Sequence, residues 1–169
     1  MNLYKRLGYL VLGSRLRRIS ESFLSEINRA YQQEGIEFEA SWFPVFYLLS
    51  QHNTLSIKEL SEQIEISHPA ASQLITNLKQ KSLLTTTTNA KDGRKQQVTF
   101  TDKGRELLTR IKPVWEAVDT SMNEMMNSEL GCKELLPAIT ALESALQTYP
   151  LANRISRNIS KQSNLARHE

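Results

Sequence analysis

Ser56-Ile57-Lys58-Glu59-Leu60-Ser61-Glu62-Gln63-Ile64-Glu65-Ile66-Ser67-His68-Pro69-Ala70-Ala71-Ser72-Gln73-Leu74-Ile75-Thr76-Asn77-Leu78-Lys79-Gln80-Lys81 is the stretch on which the architecture turns. Ser56 and Glu59 form an S-x-x-E capping box: hydroxyl and carboxylate can satisfy each other's orphan backbone N–H groups at a helix start. The short helix that follows turns Leu60 and Ile64 inward. Glu65-Ile66 makes a tight connection to Ser67, a good N-cap, and Pro69 sits in the first turn, where a missing N–H costs nothing. From about His68 to Lys81 a second helix buries Ala71, Leu74, Ile75 and Leu78, which recur at helical spacing.

Two short helices joined by so few residues have the shape of a helix-turn-helix. Downstream, Leu83 to Thr88 is extended and β-branched, and Gln96 to Thr101 alternates with Val98 and Phe100 on one face. Asn89-Ala90-Lys91-Asp92-Gly93 supplies the tip of this hairpin. Thr101 caps a further long helix with an apolar stripe of Leu108, Ile111, Trp115, Val118, Met122 and Met125, in which Pro113 should introduce a kink or local break. A last helix from about Lys133 to Tyr149 carries Leu135, Ile139, Leu142 and Leu146.

Upstream, Tyr9, Leu12, Leu16, Ile19, Phe23, Ile27 and Ala30 predict one long N-terminal helix ended by Gly35. A helix over Ser41 to Ser50 is dense in aromatics and expected to be largely buried. The polar, basic residues 150–169 are expected to be mobile or to form an arm on a partner. The fold class is therefore mainly α with a small β-wing: a winged helix-turn-helix with long terminal helices forming a dimerisation region. The organisation is an N-terminal dimerisation helix (1–35), the winged helix-turn-helix (36–105), C-terminal dimerisation helices (106–149) and a basic tail (150–169).

The net charge of +3 conceals an uneven distribution. Residues 67–105 carry +5, between blocks of −4 at 36–66 and at 106–149. A local basic block suits a polyanion, although a solvated charged face would look the same by charge alone. No apolar run approaches the ~20 residues of a membrane span, and residues 9–13 lack the cleavage site of a signal peptide. The lone Cys132 forms no intrachain disulfide, which fits a cytoplasmic location.

A helix in the major groove must present groups that hydrogen-bond to base edges while its other face holds it in the domain. With Ala71, Leu74, Ile75 and Leu78 inward, His68, Ser72, Gln73 and Thr76 face out, and none is acidic. Gln73 can read adenine through two hydrogen bonds, Ser72 and Thr76 can reach bases or phosphates, and Ser67 starts the helix. Lys79 and Lys81 suit phosphates. A merely solvated polar face explains these residues equally well; the hairpin tip shifts the balance. Lys91, Arg94 and Lys95 project from a short ribbon, where an arginine can enter a narrow minor groove. Asp92 can hold and aim the Arg94 guanidinium.

Taken together, Ile57 to Ile64, Ile66 to Ile75, Lys91-Asp92-Gly93-Arg94 and Thr101-Asp102-Lys103-Gly104-Arg105 resemble the MarR family of bacterial regulators. The resemblance implies a homodimer with interlocked terminal helices that binds near-palindromic double-stranded DNA, one recognition helix per half-site. It implies that Arg94 enters the minor groove, and it makes a repressor the usual role. Two departures stand out: the family commonly has glycine where Glu65 and Ser82 stand, positions where positive φ is often wanted. A pocket for a small aromatic ligand is implied as well, with Tyr31, Trp42, Phe46, Tyr47 and Trp115 as candidate lining, although core packing is the plainer role for any one of them.

Catalytic and metal readings find little support. No Gly-rich phosphate loop, nucleophile elbow or paired carboxylates occur, so an enzyme is not expected, and no cofactor is implied. His52, His68 and His168 lack metal-ligand spacing with one another or with Cys132. The rival to a sequence-specific regulator is a winged-helix module for protein–protein contact, which would have no use for the basic wing.

Overall fold

A computed structural model of the chain describes residues 3–88, 96–128 and 132–165. The chain divides into two compact units, Met1–Val118 and Asp119–Glu169.

In the first unit, α1 (Leu3–Leu7) leads through a 3-10 turn (Gly8–Val11) into α2 (Leu12–Gln33). One uninterrupted N-terminal helix was the expectation; instead Gly8 adopts φ +55° and interrupts it. Tyr9 consequently lies in the 3-10 turn, 90% exposed, rather than on the stripe of α2. A 3-10 turn (Ala40–Trp42) precedes α3 (Phe43–His52), and β1 (Leu55–Ser56) precedes α4 (Ile57–Ile64) and α5 (His68–Gln80). Strands β2 (Leu84–Thr88) and β3 (Gln96–Phe100) form the hairpin, and α6 (Asp102–Ser128) follows. The antiparallel sheet has the order β1-β3-β2, with Leu55 opposite Val98 and Leu84 opposite Phe100. The alternation read in β3 holds: Val98 and Phe100 are buried.

The core of this unit gathers Tyr31, Phe38, Trp42, Phe46, Leu60, Ile75, Leu78, Val98 and Ile111 from every one of its larger helices and from the sheet. Phe38 packs edge-on against Tyr31, Trp42 and Phe46, at centroid distances of 4.9, 5.5 and 5.0 Å. The helix over 41–50 is only partly buried, contrary to expectation. Phe43 and Tyr47, one turn apart, are 39% and 46% exposed, because Trp42, Val45, Phe46 and Leu49 occupy its inward face.

Three helix ends share one device. At α2, α4 and α5 an N–H reaches back over six residues: Ile36 N to Tyr31 O (2.9 Å), Ile66 N to Ser61 O (3.1 Å) and Leu83 N to Leu78 O (3.0 Å). This closure requires a left-handed residue just past the helix, which costs a residue with Cβ about 1–2 kcal/mol. Gly35 supplies it at α2, whereas Glu65 (φ 58°) and Ser82 (φ 59°) supply it at the other two. Glu65→Gly and Ser82→Gly are each expected to raise unfolding free energy by about 0.5–1 kcal/mol, the strain relieved less the extra freedom of the unfolded chain. Urea denaturation checks this, and a loss of stability in both would contradict it.

Pro113 does not break α6, which runs as one helix from Asp102 to Ser128. The carbonyl it leaves unpaired belongs to Thr109, and both residues are exposed, so water can satisfy the orphan.

The second unit contains the end of α6, then α7 (Leu135–Thr148) and α8 (Leu151–Leu165). Residues 150–169, read from sequence as a mobile segment or an arm on a partner, contain helix α8, which that reading did not anticipate. Its signal is Leu151, Ile155 and Ile159 at intervals of four, hidden among Ser, Asn and Arg. Arg154 joins the two helices, donating to Ala145 O (3.1 Å) and Tyr149 O (3.0 Å) with its guanidinium 5.0 Å over the Tyr149 ring. Among the described residues, no helix is long and apolar enough to cross a membrane.

Candidate nucleic-acid interface

The first helix of the pair is held at its start by the reciprocal cap anticipated from sequence. Ser56 Oγ accepts from Glu59 N (3.2 Å), and Glu59 Oε2 accepts from Ser56 N (2.7 Å). Ser67 caps α5, accepting from Ala70 N at 3.4 Å. The inward face of α5 is seated by Ala71, Ile75 and Leu78, each no more than 2% exposed, with Leu74 half-buried. Its outward face presents His68, Gln73, Thr76 and Asn77, all exposed, while Ser72 is half-buried at the edge.

Hydrogen bonds within the helix limit what this face can do. Thr76 Oγ1 donates to Ser72 O (2.8 Å), so its hydroxyl hydrogen is used and its lone pairs remain to accept. Gln73 Nε2 donates to Asn77 Oδ1 at 3.0 Å. Asn77 was not singled out from the sequence, although the Gln–Asn spacing of four was a readable signal. Lys79 Nζ donates to Thr86 Oγ1 (3.0 Å), which ties α5 to β2 and leaves two N–H groups for an anion.

The C-terminal end of α5 is gripped by Thr101 and Lys103. Thr101 Oγ1 donates to Ser82 O (2.7 Å) and accepts from Gly104 N (3.0 Å); Thr101 N donates to Leu83 O (3.1 Å). Lys103 Nζ donates to Lys81 O (3.1 Å). Lys81 itself, one of the two lysines read as suited to phosphates, lies 5.2 Å over the Trp42 ring. It lines a cleft of about 450 Å³ with Gly35, Trp42, Lys103, Glu106 and Arg110.

The wing-tip residues Lys91, Asp92, Arg94 and Lys95 lie outside the described residues; the strands that carry them are paired up to Thr88 opposite Gln96. Of the candidate ligand residues, Phe46 is fully buried between Phe38 and Phe100, and Trp42 lines the cleft above, whose charged lining is mixed (Glu37 and Glu106 beside Lys81, Lys103 and Arg110). Tyr31 and Trp115 do meet: Trp115 Nε1 donates to Tyr31 Oη at 3.0 Å. Burial pushes the Tyr31 hydroxyl pKa above the ordinary tyrosine value, partly offset by that hydrogen bond. Phe43 and Tyr47 continue this group across the surface, 4.9 and 6.2 Å from the Trp115 ring.

A MarR family model matches residues 35–95. A search of curated proteins gave no match in sequence. Among solved structures, the chain is similar to S. aureus MepR in complex with DNA, at 19% identity and a TM-score of 0.67 over 80% of this chain and 97% of that one. It is similar to a mutant of E. coli MarR complexed with operator DNA, at 15% identity and 0.65, over 86% and 99%. Bordetella bronchiseptica BpsR, whose DNA binding is regulated by 6-hydroxynicotinic acid, aligns at 20% identity and 0.61, over 79% and 91%.

Proposed function

The winged helix-turn-helix of this chain belongs to the MarR family of transcriptional regulators, and from that premise we propose that it binds a near-palindromic operator as a homodimer and represses transcription. The observation that carries the proposal is the outward face of α5: His68, Gln73, Thr76 and Asn77 are exposed hydrogen-bonding groups, with no acidic residue, on a helix anchored by a fully apolar inner face. Such a face suits base edges, and Lys79 with Lys91, Arg94 and Lys95 suits the flanking phosphates and minor groove.

The homodimer is supported by apolar surface left uncovered in the single chain. Leu16, Ile19 and Leu24 of α2 and Leu136, Leu142 and Leu146 of α7 are all more than a third exposed, Leu136 by 74%. A soluble monomer rarely leaves so much aliphatic surface in water. Residues 1–35 and 106–149 are accordingly proposed as the dimerisation region, with 36–105 as the DNA-binding domain and α8 in 150–169 as an addition to it. An effector with a flat aromatic body is proposed to lower DNA affinity by lying against Tyr47 and Trp115, beside buried Tyr31.

Genomic-fragment selection with the purified protein tests this. The expected result is a short near-palindrome bound by two chains, released by a subset of small aromatic acids. Affinity should fall with salt at a slope of about 0.9 per phosphate contacted. Arg94→Ala is expected to weaken binding to the selected fragment about tenfold, in the range of one lost charge-assisted contact. Retention of no fragment above background at moderate salt, or a monomer by sedimentation at micromolar concentration, would overturn it.

A further inference from the structure

Gln73 and Asn77 stand one turn apart on the exposed face of α5, joined by the 3.0 Å hydrogen bond from Gln73 Nε2 to Asn77 Oδ1. A primary amide on an exposed side chain turns over easily, exchanging its donor and acceptor edges. The bond to Asn77 restricts that freedom: while Asn77 accepts, Gln73 directs its nitrogen along the helix and keeps its oxygen and second N–H for whatever lies opposite, and the pair reverses only if both amides turn together. This is the pattern adenine demands in the major groove, where N7 accepts and the N6 amino group donates. Guanine offers two acceptors, N7 and O6, and meeting them would require Gln73 to turn over and Asn77 to turn with it. The Thr76 hydroxyl offers no substitute donor, because its hydrogen is bonded to Ser72 O.

We infer that Asn77 is a positioning residue that holds the polarity of the Gln73 amide and thereby narrows one base of each half-site to adenine. This rests on the reading of α5 as the helix that enters the major groove. Asn77 acts through Gln73, so its loss should alter which base is preferred more than how tightly DNA is held.

The test is to measure wild type, Asn77→Ala and Asn77→Asp against the selected fragment and its single-base variants, with melting temperature and salt slope measured alongside. Wild type is expected to prefer adenine over guanine at one position per half-site by at least tenfold. Asn77→Ala should reduce that preference about fivefold while leaving melting temperature and salt slope unchanged. Asn77→Asp keeps an acceptor at the same place, so it should retain the preference while binding all fragments more weakly, its charge opposing the phosphates. Undiminished discrimination in Asn77→Ala, or an equal loss on every fragment, would overturn the inference and leave the proposed function standing. Failure of wild type to select any motif would overturn both.

Discussion

Replacing Phe46 with alanine is expected to lower the unfolding free energy by about 4 kcal/mol, within the range for a fully buried aromatic. Its ring has no exposed surface and packs 5.0 Å from both Phe38 and Phe100. It thus joins α3, the segment after α2 and the central strand of the sheet. None of these neighbours can collapse into the space without leaving a second contact: Phe38 is also held by Tyr31 and Trp42, and Phe100 lies in a paired strand. For a chain of this length such a loss corresponds to roughly 8–16 °C in melting temperature. Chemical denaturation of the variant measures it, and a loss below about 1.5 kcal/mol would mean that the core relaxes to fill the site.

Gly104→Ala is expected to cost about 3 kcal/mol, although alanine is the better helix former by roughly 1 kcal/mol. Gly104 lies in the first turn of α6, buried against the turn that follows α5. A Cβ there would overlap the Leu83 carbonyl oxygen and come within 3.1 Å of Phe100 Cδ1. Backbone cannot move aside as a flexible side chain can. The Leu83 carbonyl accepts from Thr101 N, so displacing it loosens the clamp on the end of α5. The variant should therefore lose DNA affinity as well as stability, whereas Phe46→Ala should lose affinity only in proportion to the unfolded fraction. Comparing binding at a temperature where both variants are folded separates the two effects. A Gly104→Ala protein as stable as wild type would show that Leu83 yields without cost.

The same clamp links the start of α6 to the end of α5. At the start of α6, Lys103 holds the carbonyl of Lys81 and Thr101 those of Ser82 and Leu83, while Gly104 N donates to the Thr101 hydroxyl. Trp115, three turns further along α6, touches the exposed aromatic group of Phe43 and Tyr47. Binding at one end of a stiff helix can bias the other only if the ligand prefers one of two positions of that helix.

Local features were legible from the order of residues. The Ser56–Glu59 box, the Ser67 cap, the buried positions of α5 and the alternation around Val98 each depend on groups within a few positions of one another. Glu65 and Ser82 were marked by the family resemblance, not by residue order, as places where positive φ is wanted, and both adopt it. Helix α8 was missed because three aliphatic side chains at intervals of four are a thin stripe among polar neighbours.

What the amino-acid order determined by itself is the order of the main elements from α2 to α7 and the apolar positions of each, since propensity, capping and periodicity act over one or two turns. What only the tertiary structure decided is where each polar group spends its hydrogen bonds. Lys79 on Thr86, Lys103 on Lys81, Lys81 over Trp42 and Trp115 on Tyr31 are pairings between different elements. Burial was settled in the same way: Phe46 went to the core and Tyr47, its neighbour in the chain, to the surface. Such outcomes depend on how segments far apart in the chain approach one another, and no short-range pattern encodes that approach.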